Sequence, residues 1–383
     1  MTTMRARASI VPDTVLLLAA CALACGGLLI ARALAMEDAR RAFSGEMIRQ
    51  SIYIGIGLIA MAVASRTDYR LLRTLAPQLY VVAALGLVLV LVLGSNEYGA
   101  RRWISIGGGI TVQPSEFAKV ATAIAAAAFA ADRGATGRTT TVLLGLVGFM
   151  AALIVVEPDL GTAIVLGLAW FAIAMAWGVA WRYLGGLALL GLSMFPLALA
   201  VAIPDYQRER LAVFLDPGRD PLGSGFTLRQ VEVAFSAGGL TGRGFNGAPS
   251  ALSGVAPRSS DFAFAQLGEF GGALVTVAVI ALFAVVAWRG YRAAAGAPDE
   301  FGRLLAVGLT TVIVLQAAMH MAVNMRLFPA TGIPLPFVST GGSALLAVFT
   351  AIGILESIAA HRTVHARRHA TGPRSARPAR RRA

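Results

Sequence analysis

Lysine is all but missing from this chain: of 33 basic residues in 383, one is a lysine, Lys119, and the rest are arginine. Charge of either sign is scarce, at 14% of residues against 57% hydrophobic, and the mean hydropathy is +0.71. That balance excludes a soluble globular domain, in which about a quarter of the residues are charged. Cysteine is nearly absent too. Cys21 and Cys25 sit one turn apart in a single apolar run, which excludes a disulfide framework and a cysteine-ligated zinc site. No Gly-Lys pair ends a glycine-rich loop and there is no HExxH, so phosphate-loop nucleotide hydrolysis and zinc proteolysis are excluded as well. His361, His365 and His369 recur at helical spacing beyond the last apolar run and read as a solvated basic stripe rather than metal ligands.

What the sequence does have is apolar length. A helix crossing a bilayer needs about 20 mostly apolar residues. Ten runs qualify, with cores at 13–31, 48–64, 75–94, 115–131, 140–156, 160–177, 184–203, 268–288, 304–323 and 344–360. The expected fold is an all-α polytopic integral membrane protein of ten transmembrane helices. Leu18-Ala19-Ala20-Cys21 matches a lipoprotein processing box, but the apolar run continues past the cysteine, so an uncleaved first helix is expected. Arginine concentrates at alternate connections, including Arg66, Arg70, Arg73, Arg133, Arg138, Arg182, Arg289, Arg292 and Arg303, and in the tail. By the positive-inside rule both termini are cytoplasmic. The net charge of +13 comes largely from a basic tail at 362–383, suited to anionic inner-leaflet lipid rather than to nucleic acid. Residues 1–361 then form one transmembrane domain.

Two stretches interrupt the spans. Residues 204–267 are polar, glycine-rich and too long for a simple connection; the topology makes them a large extracytoplasmic loop, within which TLRQVEVAFSAGG suits a short amphipathic surface helix. Residues 324–343, NMRLFPATGIPLPFVSTGGS, hold three prolines and three glycines. Irregular backbone of that kind is tolerated at membrane depth where protein or a wet cavity satisfies its polar groups.

The ionisable residues gather at the outer helix ends. QPSEFAK opens the fourth span with Pro114, Ser115 and Glu116, and places Lys119 three residues past Glu116 on one face. At 1.5 Å per residue Lys119 lies about 8 Å inside the boundary, near enough for its ammonium to reach the headgroups. An ion pair with Glu116 is the alternative. Glu157 and Asp159 lie between the fifth and sixth spans, Arg101 and Arg102 precede the fourth, and Asp261 and Glu269 open the eighth. Together they point to one cavity open to the outer leaflet. Ser339, Gly341, Gly342 and Ser343 stand at a helix start, either as backbone donors for an anion or as a cap with close packing. An outward-facing enzyme has no nucleotide-activated donor at hand, so a lipid-linked pyrophosphate is the fitting substrate.

These blocks resemble the SEDS family of RodA, FtsW and SpoVE. GARRWISIGG, QPSEFAK, EPDLGTA, FLDPGRDPLGSGF, SSDFAFAQLGE and FPATGIPLPFVSTGGS follow its motifs in order, over roughly residues 45–360. The resemblance implies a ten-helix glycosyltransferase of the bacterial cytoplasmic membrane that polymerises lipid II into peptidoglycan. It implies work with a class B penicillin-binding protein in an elongation or division complex. It assigns the general base to Asp261 and the lipid pyrophosphate to Lys119, Glu116, Arg102 and Asp159, with a divalent cation, Mg or Mn, as the one cofactor. The chain departs from the family pattern at VAPRSSDFAF, which lacks a glutamate and a histidine before the aspartate, at Gly268-Glu269-Phe270 in place of GEE, and at Ser339-Thr340-Gly341-Gly342-Ser343-Ala344 in place of SYGGSS. A flippase for lipid-linked precursors and a non-catalytic scaffold for a transpeptidase stay open beside this reading.

Overall fold

The computed structural model describes residues 12–37, 45–97, 100–107, 110–201, 205–245, 250–253, 255 and 258–370. Pro257, the N-terminal Arg5 and Arg7, and the basic tail from 371 lie outside the described residues. In chain order the elements are α1 (Thr14–Glu37), α2 (Gly45–Arg66), α3 (Arg70–Leu93), β1 (Ser95–Glu97), β2 (Ala100–Gly107), β3 (Ile110–Val112), α4 (Pro114–Ala131), α5 (Gly137–Val156), α6 (Leu160–Trp177) and α7 (Trp181–Val201). They continue with α8 (Asp205–Leu215), α9 (Ser224–Gly238), α10 (Arg258–Asp261), α11 (Ala263–Ala295), α12 (Glu300–Asn324) and α13 (Gly342–Ala370).

Among the described residues eight helices are long and apolar enough to cross a membrane: α1, α2, α3, α5, α6, α11, α12 and α13. The chain is a multi-pass membrane protein. Helix starts follow local chemistry. Thr136 and Thr139 make a reciprocal capping box at α5, Asp159 caps α6 through Thr162 N–H, and Asp299 caps α12 through Gly302 N–H. The first span continues unbroken past Cys21, and both cysteines are free; Cys25 is exposed on its outer face rather than in the core.

The fold is not wholly helical. Between α3 and α4 the chain forms a three-stranded antiparallel sheet, ordered β1-β2-β3, with Ile104 opposite Val112 and Ser105 opposite Thr111. The physical reason is in the sequence: Trp103, Ile104, Ile106, Ile110, Thr111 and Val112 are β-branched or aromatic, and glycines join the strands.

α4 is the hub. It packs against α3, α5, α6, α12 and α13, and its alanines from Ala121 through Ala130 are largely buried. Small side chains let neighbouring backbones approach closely, which is how helices associate in lipid. α2 and α13 use glycine for the same end, since a Cβ on Gly57 would lie 2.4 Å from Phe349 Cδ2 and one on Gly353 2.5 Å from the Met61 carbonyl.

α11 is broken at Gly272, where φ is 69°. The loop after α9 fills the break: Ala273 N–H donates to Gly239 O (2.9 Å) and Arg243 N–H to Glu269 O (3.0 Å). A Cβ on Gly272 would stand 2.4 Å from Gly242 N. The freed backbone groups are therefore satisfied by protein.

Gly57→Val is expected to cost about 1–3 kcal/mol by overpacking the α2–α13 contact. Gly55, one of the glycines with no atom within 4 Å of its would-be Cβ, is the control. Thermal unfolding in detergent should separate the two, and equal melting temperatures would exclude the tight contact.

Candidate functional site

The chain order brings the starts of α4, α6, α11 and α13 and the ends of α3, α5 and α12 to one end of the bundle. The carboxylates and arginines noted in the sequence meet there. Asp261 closes the short α10 and is half-buried; Ser260 Oγ donates to its Oδ1 at 2.8 Å. Its other oxygen faces a glycine across the cleft. From the position a Cβ would take on Gly332, Asp261 Oδ2 and Arg102 Nη1 are each 3.7 Å away and Arg210 Nη1 is 3.9 Å away. Gly332 has φ 69°, so a glycine there gives both the backbone turn and the space.

The arginines are fixed by backbone carbonyls. Arg102, from β2, donates through Nε to Glu157 O (3.2 Å) and through Nη2 to Pro158 O; Arg210, from α8, donates to Ala330 O (3.3 Å). Gln207 adds a second donor to Pro158 O at 2.9 Å. A cleft of about 120 Å³ opens beside them, and Leu160, Ile164, Leu211 and Phe328 give it an apolar wall. Burial raises the Asp261 carboxyl above the ordinary value. The Ser260 hydrogen bond, then Arg210 and Arg102, oppose that rise.

Asp261 also rests on positioned neighbours. Asn324, at the end of α12, accepts Ala265 N–H (3.0 Å) and donates to Asp261 O (3.0 Å). Ser339 Oγ donates to Ser260 O (2.6 Å) and accepts Leu335 N–H (2.8 Å). Ser339 thus ties the proline-rich segment to the turn bearing the aspartate.

The other expected site residues divide. Asp159 is buried, its oxygens taken by Thr162 N–H (3.1 Å), Thr162 Oγ1 (2.9 Å) and Gln113 Nε2 (3.4 Å). Glu157 is fully buried with neither carboxylate oxygen hydrogen-bonded to the described residues. Lys119, 2% exposed, points into the bundle, donating to Glu116 Oε1 at 2.8 Å and to Gln316 Oε1, rather than reaching the bundle surface. Ser115 is buried on the same helix. Glu269 is engaged away from the cleft, by Arg243 Nη1 (2.8 Å), Ser250 Oγ (2.7 Å) and Ala251 N–H (2.8 Å). At the start of α13, Ser343 Oγ accepts Gln113 N–H (3.0 Å), and Gly342 lies under the Tyr53 ring, 2.8 Å from its would-be Cβ. Gly341 stands beside them, its would-be Cβ 3.8 Å from Ala344 Cβ. These residues cap and pack. The side chain of Arg101 lies outside the described residues.

Sequence reading missed Arg210, Gln207, Gln316, His320 and Asn324. The signal for the last three was their four-residue spacing, which puts one polar stripe on an otherwise apolar helix.

Comparison with known proteins gives a consistent likeness. Residues 13–364 match the family model FtsW/RodA/SpoVE, described as cell cycle protein. The peptidoglycan glycosyltransferase MrdB of Escherichia coli K12 is 34% identical over 339 residues, covering 88% of this chain and 91% of MrdB. Stage V sporulation protein E of Bacillus subtilis is 36% identical over 316 residues, covering 81% and 86%. Among solved structures, a chain of a peptidoglycan synthase complex that coordinates polymerization and crosslinking superposes with TM-score 0.78 at 28% identity, covering 92% of this chain and 99% of that one. The Thermus thermophilus rod shape determining protein RodA superposes with TM-score 0.69 at 26% identity, covering 92% and 98%.

Burial pushes the Glu157 carboxyl up to about 8, helped by Asp159 and opposed by Arg102. The folded protein keeps a proton that the unfolded chain releases in the ordinary carboxylate range. The stability this contributes is full below that range and is lost as pH rises through 8. Glu157→Gln should therefore flatten the fall in melting temperature between pH 5 and 8.5. Parallel curves for native and variant protein would exclude a buried, protonated Glu157.

Proposed function

The chain belongs to the FtsW/RodA/SpoVE family of cell cycle proteins, and on that premise we propose that it is a peptidoglycan glycosyltransferase polymerising lipid II. The work takes place at the outer face of the bacterial cytoplasmic membrane. Relatives at a third identity over most of both chains carry that activity in their names. The observation that carries the reading to particular residues is the convergence of one carboxylate and two guanidinium groups around Gly332.

The chemistry follows from that convergence. A glycosyl transfer from a lipid pyrophosphate needs a base for the attacking hydroxyl and positive charge for the leaving group. Asp261 takes the proton of the acceptor sugar hydroxyl, whose oxygen forms the new bond to the anomeric carbon as the carbon–pyrophosphate bond breaks. Arg102 and Arg210 hold the departing pyrophosphate, and guanidinium suits phosphate oxygens geometrically. The apolar wall of Leu160, Ile164, Leu211 and Phe328 suits the polyprenyl chain. The remaining acidic residues fit a divalent cation poorly. No three His, Cys, Asp or Glu side chains gather among the described residues, and both oxygens of Asp159 already accept hydrogen bonds. The two arginines supply the positive charge.

In this reading α4 and α7 complete ten spans, α8 to α10 belong to the large extracytoplasmic loop, and both termini are cytoplasmic. The partner is a class B penicillin-binding protein of an elongation or division complex. The likeness to a chain from a synthase complex that couples polymerization to crosslinking supports it.

Asp261→Ala is expected to abolish glycan-chain formation from labelled lipid II by purified, partner-bound protein while leaving the fold intact. Robust polymer from that variant would sink the assignment. Arg102→Ala and Arg210→Ala should each raise KM for lipid II about tenfold, the scale of one charge-assisted hydrogen bond. Because a base must be ionised to act and burial raises the Asp261 carboxyl, kcat should climb with pH along an acid limb above the ordinary carboxylate range.

A further inference from the structure

The lone lysine is held away from the cleft, yet it is joined to it through α12. Lys119 Nζ donates to Gln316 Oε1, so the amide NH₂ of Gln316 must point the other way, and Nε2 donates to Pro334 O at 3.0 Å. One turn on, His320 Nδ1 donates to Ile333 O at 2.8 Å. One further turn on, Asn324 donates both to His320 O (2.9 Å) and to Asp261 O (3.0 Å). Gln316, His320 and Asn324 are each at least 96% buried. The stripe thus grips successive carbonyls of the segment that carries Gly332, and ends on the backbone of Asp261.

A glutamine amide can turn end for end at little cost unless its neighbours fix it. Here the fixing group is an ammonium, which offers donors and no acceptor, so it admits one orientation of Gln316. Glu116 in turn holds and neutralises the ammonium at 2.8 Å. We propose that Lys119 is a positioning residue, whose ammonium sets the Gln316 amide so that the 329–335 segment, with Gly332, is held against Asp261, Arg102 and Arg210. The proposal rests on the glycosyltransferase reading for its kinetics but not for its geometry. It takes Lys119 out of direct contact with pyrophosphate.

The test compares Lys119→Met, Gln316→Ala and the double variant with the native chain. One arm measures lipid II polymerisation as kcat and KM, the other hydrogen exchange of amides in 329–335. Each single variant should lose about 100-fold in kcat, the scale of an ångström of misplacement, with KM changed less than about threefold and exchange in 329–335 accelerated. The double variant should be no worse than the weaker single, because both remove one linkage. Multiplying losses, or a KM increase for Lys119→Met with Gln316→Ala silent, would overturn the proposal in favour of a phosphate ligand. Removing half of a buried ion pair can unfold a protein, so the exchange variant Lys119→Gln/Gln316→Lys is added. It keeps carboxylate, amide and ammonium in one cluster, and should regain protection of 329–335. Gln316→Ala keeps the buried Lys119–Glu116 pair intact; if folded, with native kcat and native exchange, it refutes the proposal alone. A native chain that made no polymer would refute the glycosyltransferase reading, while the exchange arm still decided the role of Lys119.

Discussion

The structure depends on satisfying the backbone of one irregular segment among apolar helices. Between α12 and α13 the chain runs through residues 325–341 with few hydrogen bonds of its own. A buried carbonyl without a donor costs free energy comparable to a lost hydrogen bond, and lipid offers no substitute for water. The donors come from side chains on two sides: Arg210 of α8 for Ala330, and His320 and Gln316 of α12 for Ile333 and Pro334. Ser339 then closes the turn on Leu335 and reaches across to Ser260. The segment's position is therefore set by its surroundings, and Gly332 with it.

That dependence explains why α4 is built as it is. A helix that touches five neighbours needs small side chains over much of its surface, and its alanines keep it thin there. Being enclosed, it can hold a charge only with a partner on the spot. Glu116, one turn before Lys119, is that partner. The same enclosure explains why α4, with Glu116 and Lys119 in its first two turns, is absent from the eight helices apolar enough to span by composition.

How much of this was legible beforehand follows from which forces act locally. Eight of the spans and the α9 helix within 204–267 are written in hydropathy, and they stand in the structure; Asp159, expected to hold the pyrophosphate, caps α6. The sheet between α3 and α4 was legible in its β-branched alternation but was overlooked among longer apolar runs. The Glu116–Lys119 pair was legible from its three-residue spacing, but partners distant in sequence were not. Glu269 lies about two turns beyond Asp261 and is expected from the sequence to share its cavity; the break at Gly272 instead turns the 239–244 loop onto that part of α11, and Glu269 serves Arg243, Ser250 and Ala251. Arg210 gave no signal in sequence, because one arginine of an arginine-rich loop becomes distinctive only when Gly332 is brought beside it.

The choice of lysine at position 119 has its own physical reason. An ammonium carries three donors around one atom, whereas a guanidinium carries five in a rigid plane. At position 119 two acceptors are in place, Glu116 Oε1 and Gln316 Oε1. Arginine would bury more donors than these acceptors can meet, and each unmatched donor costs about 1–3 kcal/mol. It would also need room that an alanine-lined helix with five close neighbours does not leave. The arginines whose burial is described are all at least partly exposed, several of them paired with carboxylates such as Asp299, Glu269 and Asp13, where a planar fork is an advantage or costs nothing. A chain that uses arginine for every other cation therefore has a lysine at a buried site where a compact charge is required.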